Sequence, residues 1–138
     1  MPPDSSQDIR NRTFRFACAV AALVLMLDEY KLRSIVDQLL RSATSVGSNL
    51  EEAKAASSKR EFLRDVQISL RESREAVYWL RLCAELKFGP EAQLRELIGE
   101  GDQIARILAA IVVSTKRRML VGYAVFAICI LNSALLLS

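Results

Sequence analysis

Glu52, Asp65 and Glu72 are the residues in this chain of 138 whose types and spacing could do chemistry. Carboxylates brought together by folding can gather a hard cation or divide the roles of acid and base. The chain denies them the usual company. It contains no histidine, which removes the commonest general base, the usual transition-metal ligand and every His-dependent triad. Di-iron bundles rely on Glu-x-x-His ligands that cannot be completed here. No Gly-rich phosphate loop and no Ser- or Cys-based nucleophile arrangement appears. Cys18, Cys83 and Cys129 are odd in number, far apart and form no CxxC pair, so neither a zinc site nor a disulfide framework is indicated. Their apolar or small neighbours predict buried free thiols in a reducing compartment. The expectation is a protein without catalytic residues, metal or cofactor.

The same carboxylates belong to a longer polar pattern. Gln38, Ser42, Ser45, Asn49 and Glu52 recur at alternating spacings of four and three, beside the apolar seam of the same helix. Serine and asparagine are costly in a helix interior, so they need a reason to be there. Asp65, Ser69 and Glu72 repeat the alternation on the next helix, and Ala76, Trp79, Cys83 and Leu86 continue it as an apolar or small stripe. Folding the two helices back about Ser57-Ser58 brings Asn49 near Asp65, Ser45 near Ser69 and Ser42 near Glu72. Two helices with two adjacent seams each need cover on both sides. One seam closes a core; the other meets another subunit or forms a polar network inside the bundle. Unpaired, each buried polar group would cost about 1–3 kcal/mol, so the set should be mutually satisfied or wet.

Basic residues gather on the same segment. Lys59, Arg60 and Arg64 surround the start of the third helix, and Arg71, Arg74 and Arg81 continue along it. Glu61, Asp65, Glu75 and Glu85 interleave with them, which fits i,i+4 pairing on a wet face. In an oligomer the patch would be multiplied, and a ring of patches could hold phosphates. The net charge of +3 is compatible with a nucleic-acid partner without demanding one. Trp79, beside Tyr78, reads as a packing anchor.

These residues need long helices to carry them. Half the chain is hydrophobic and a quarter charged, with only five Gly and three Pro. That composition suits a single folded domain dominated by helices. Four segments alternate buried-type residues at 3-4 spacing: Phe16, Val20, Leu23, Leu27, Tyr30; Val36, Leu39, Ala43, Val46, Leu50, Ala53; Leu63, Val66, Leu70, Ser73, Val77, Leu80, Ala84; and Leu94, Leu97, Gly101, Ile104, Leu108, Ile111. The predicted connections are Lys31-Leu32-Arg33, Ser57-Ser58 and Gly89-Pro90. Ser58 with Glu61 has capping-box spacing, and Gly89 with Pro90 marks a stop and a start. Short loops predict an all-α, antiparallel, up-down-up-down four-helix bundle.

Residues 1–10 read as a loose N-terminal arm, 11–118 as the bundle and 119–138 as a hydrophobic tail. Arg10, Arg12 and Arg15 before "FACAVAALVLML" also resemble the opening of a signal peptide, though Asp28 and Glu29 follow at once. The stretch Met119 to Ser138 carries no charge and follows Lys116-Arg117-Arg118. Its length and its basic flank suit an inner-membrane anchor that leaves the bundle in the cytoplasm. A packed extension of the fourth helix, or an interface within an oligomer, is the competing reading.

The segment "QLLRSATSVGSNLEEAKAASSKREFLRDVQISLRESREAVYWLRL" resembles the signature of the small bacterial four-helix proteins of 23S ribosomal RNA intervening sequences. The matching residues are Gln38, Leu39, Arg41, Ser42, Ser45, Gly47, Asn49, Glu52, Ala53, Ser58, Lys59, Phe62, Ser69, Glu72, Glu75, Trp79 and Leu80. The resemblance covers about residues 12 to 116. It implies a left-handed bundle assembled into a ring, a homopentamer, with no catalytic residues to carry over. A related branch is similar to the accessory proteins of diversity-generating retroelements, which implies RNA, DNA or a reverse-transcriptase-like enzyme as partner. Such proteins end near Ser114-Thr115-Lys116, so the tail from Met119 departs from the pattern.

Overall fold

A computed structural model describes the backbone of residues 5–27 and 29–136, and the side chains of residues 9–27 and 31–131. It consists of α1 (Ser5–Met26), α2 (Glu29–Ala55), α3 (Lys59–Glu85) and α4 (Glu91–Leu136). No strand occurs among the described residues.

Two boundaries differ from expectation. Helix α1 begins at Ser5 and so takes in much of the expected arm, and Ile9, 3% exposed, lies in the core. Residues 1–4 lie outside the described residues. The first connection falls earlier than Lys31-Leu32-Arg33. Buried Leu27 closes α1, its N–H donating to the Val24 carbonyl at 3.1 Å, and α2 already begins at Glu29. The expected break survives as a kink at Leu32 (φ −138°, ψ 41°) inside α2. The expected seam position Tyr30 lies outside the described side chains.

The other turns form where sequence places them. Ser58 adopts an extended backbone and its Oγ accepts the Glu61 N–H at 3.1 Å. The Glu61 carboxylate reaches Ser57, accepting from its N–H and Oγ, both at 2.8 Å, so the box closes one residue early. Those bonds hold the Glu61 carboxyl below its ordinary range. At the far end of α3 the Phe88 N–H donates to the Cys83 carbonyl at 2.8 Å. Gly89 follows at φ +118°, a left-handed conformation that glycine adopts freely.

Helix α1 packs on α2, α2 on α3, α3 on α4 and α4 on α1, with no diagonal pair among the described residues. The cross-links run in opposite senses along adjacent helices: Arg10 meets Glu51 and Thr13 lies against Gly47, while Arg41 meets Glu72 and Val46 meets Ser69. All six expected seam positions of α2 are buried, with Phe16, Val20 and Leu23 from α1, Val66 and Leu80 from α3, and Leu94, Ile104 and Leu108 from α4. Each fully buried large aliphatic or phenyl group stabilises the fold by roughly 1.5–3 kcal/mol. Leu63, Leu70, Ala84 and Ile111 sit half-buried at the rim. The apolar run of α1 that resembles a signal peptide is a bundle helix here. Cys83 alone of the three thiols is buried, and burial raises its pKa. Cys18 and Cys129 are exposed, because one lies on the outer face of α1 and the other beyond the bundle.

At 46 residues α4 is far longer than the 27 residues of α2 or α3. At 1.5 Å per residue that is about 69 Å against about 40 Å. Beyond Val112 no described residue is buried, and the α2–α3 turn reaches α4 only at Arg118 to Phe126. No helix is long and apolar enough to cross a membrane among the described residues, so a spanning anchor is not supported there. The side chains of residues 132–138, the last part of the expected anchor, lie outside the described ones.

Candidate nucleic-acid interface and the polar seam behind it

Successive residues of α3 fall into three phases. One faces the core. A second, Glu61, Asp65, Glu72 and Glu75, turns toward α2 and is partly or fully buried. A third runs Arg60, Arg64, Gln67, Arg71, Arg74, Tyr78, Arg81 at alternating spacings of four and three, and every member is exposed. Glu72 and Glu75 thus point away from the arginines that interleave with them in sequence, whereas Arg64 still pairs with Asp65 and Glu61.

The acidic phase makes the polar seam. Asp65 is 5% and Glu72 9% exposed, while Ser42 and Ser69 are fully buried. Gln38, Ser45 and Asn49 are half-buried, and Glu52 is exposed. Glu52 lies in the last turn of α2, where its long carboxylate side chain meets water. The expected pairings shift by one residue. Ser69 Oγ donates to the Val46 carbonyl at 2.7 Å, and Glu72 Oε2 accepts from Arg41 Nη1 at 3.0 Å. No bond joins Asn49 to Asp65 or Ser42 to Glu72. Short polar side chains on a helix bond back to their own preceding turn: Ser42 Oγ donates to the Gln38 carbonyl at 2.8 Å, and Asn49 Nδ2 to the Ser45 carbonyl at 2.7 Å.

Arg41 is the residue that spacing alone missed. It lies one position off the polar stripe, entering the sequence reading only through the family pattern. Its guanidinium bonds Glu72 and Glu75 on α3 and Gln38 Oε1 at 3.1 Å on its own helix. The pairing with Glu75 raises Arg41 above its ordinary pKa and holds the Glu75 carboxyl below its own. Trp79 Nε1 donates to the same Glu75 carboxylate at 3.2 Å, and Tyr78 packs edge-on to the Trp79 ring at 5.0 Å. Among the described residues no buried side-chain nitrogen or oxygen lacks a partner, nor does any cluster of three or more His, Cys, Asp or Glu form that could hold a metal.

The third phase is electropositive. Arg64 bonds Asp65 at 2.9 Å and Arg81 bonds Asp102 at 3.3 Å. Lys59, Arg60, Arg71 and Arg74 form no ion pair within 4 Å among the described residues. Arg71 senses Glu75 only through space. From Arg60 to Arg81 the row is about 31 Å long, and Tyr78, 59% exposed, sits within it. Such a row can bind a run of phosphates, with one aromatic ring available to a base.

A family described as "23S rRNA-intervening sequence protein" matches residues 5–110, stopping before the apolar extension of α4. A solved structure, a protein of unknown function from the S23 ribosomal protein family of Bacteroides thetaiotaomicron, is similar at a TM-score of 0.70 and 27% identity. The match covers 75% of this chain and 97% of that one. Among curated proteins none matches.

Proposed function

The chain belongs to the 23S rRNA-intervening sequence protein family, and from that membership we propose a non-enzymatic bundle that binds nucleic acid along the exposed arginine row of α3. The sorting of charge on α3 carries this reading. A salt-bridged wet face would spend its arginines on neighbouring carboxylates, yet Glu72 and Glu75 bond Arg41 of α2 and leave Arg60, Arg71 and Arg74 outward. A homo-oligomer, a pentamer by resemblance, would present several such rows and turn modest charge into avidity. A reverse-transcriptase-like enzyme docked on the same face is the alternative partner, since the row would also meet an acidic protein surface.

The test is binding of the full chain to mixed single- and double-stranded RNA and DNA across a salt series. Arg71→Gln with Arg74→Gln should weaken binding to all sequences alike and lower the salt slope by about 2. Absence of retention at low salt by the folded parent protein would remove nucleic acid as the partner.

A further inference from the structure

The end of the bundle where α4 leaves it combines two features that sequence order keeps apart. The α2–α3 turn brings Lys59 and Arg60 beside Arg118, and together with Met119, Gly122, Tyr123 and Phe126 they line an open groove of about 440 Å³. Lys116 and Arg117 are exposed on the same stretch of α4. None of these five cations forms an ion pair among the described residues. Immediately beyond them the helix is apolar on every side. Leu120, Val121, Tyr123, Val125, Phe126, Ile128, Ile130 and Leu131 are each more than half exposed, Leu120 at 69%. An amphipathic helix seeking a groove or a single partner would show one apolar stripe. An apolar surface all round calls for an apolar medium.

We propose that this end of the molecule docks on an anionic lipid bilayer, with the cations from two elements engaging phosphate headgroups and residues 119–131 entering the acyl layer. Charge complementarity selects this occupant: a collar of cations at the base of an apolar rod matches a negatively charged surface over a hydrocarbon interior. The thirteen residues from 119 to 131 alone are about 20 Å long, enough to reach well into a hydrocarbon core of about 30 Å. Tyr123, close to the collar, stands at the depth where an amphipathic ring prefers to lie. The proposal shares Arg60 with the α3 row but otherwise rests on Lys59 and α4, so substitutions at Arg71 and Arg74 separate it from nucleic-acid binding.

Flotation of the full chain with phosphatidylcholine vesicles, with and without phosphatidylglycerol, tests it. The parent protein should float with the anionic vesicles. Replacing Lys116, Arg117 and Arg118 by Gln should weaken that binding on the order of a hundredfold at low salt, and Lys59→Gln with Arg60→Gln should weaken it further. Val125→Lys with Ile128→Lys should abolish it while leaving the melting of the bundle unchanged, because both sites lie outside the core. Arg71→Gln with Arg74→Gln should leave it intact. Failure of the parent to float, equal flotation without phosphatidylglycerol, or undiminished flotation of the lysine-substituted tail would each overturn the proposal. So would a tail-dependent oligomer that floats with neither vesicle, which would make a second copy of the chain the occupant.

Discussion

Arg41 ties two carboxylates of α3 to α2, and its position explains why Glu72 can be buried at all. An unpartnered buried carboxylate would be costly, whereas Glu72 shares a guanidinium that is itself 46% exposed and keeps part of its hydration. The exposure of Arg41 also limits the gain, which is on the order of 1 kcal/mol or less for each half-exposed pair. Glu75 gives this arrangement a pH signature. Its folded-state pKa lies below the ordinary 4.5, chiefly through the Arg41 hydrogen bond, so its contribution is whole above that value. The contribution is lost as pH falls through the lower folded value. Glu75→Gln should therefore flatten part of the acid limb of a stability–pH curve while changing little at neutral pH beyond the lost pairing. A parallel acid limb in parent and variant would show that the pair does not titrate as described. Arg41 was outside the periodic stripe because a long side chain reaches across from a neighbouring phase; spacing locates Cβ atoms, not guanidinium groups.

Among the elements, α4 shows most clearly how one residue sets helix approach. A Cβ at Gly101 would stand 2.6 Å from Val77 Cγ2 and 3.4 Å from Phe16 Cζ, both in the packed interior. The Gly101 carbonyl also accepts from buried Ser73 Oγ at 3.2 Å. The glycine thus sets the spacing among α1, α3 and α4 at one level. Gly101→Ala should destabilise the bundle by about 1–3 kcal/mol through overpacking, despite alanine's better helix propensity. Gly99→Ala, with nothing within 4 Å of the added Cβ, should instead raise stability by up to about 1 kcal/mol. Equal melting shifts in the same direction for the two variants would refute this account. The sequence places Gly101 on the α4 seam, but only the packed helices show which side chains it admits.

For the whole molecule, the closed ring of α1, α2, α3 and α4 leaves the outer part of the polar seam, Ser45 and Asn49, half-buried within one chain. If copies associate through that side, Asn49→Leu should change the solution mass or its concentration dependence; a mass unchanged from the parent would rule out association through that face. The periodic seams, the Ser58 cap and the Gly89-Pro90 break were enough to specify four helices and which face of each is buried, because apolar spacing and backbone chemistry act locally. Three matters were decided only by tertiary packing. Asp65, Glu72 and Glu75 turn inward while the arginines turn out, since adjacent positions on a helix point 100° apart and the partner helix selects one phase. Ile9, within the expected arm, is carried by helix α1 into the core. The cations at Lys59 and at Arg118, remote in sequence, become one collar because antiparallel packing sets the α2–α3 turn beside the point where α4 leaves the bundle.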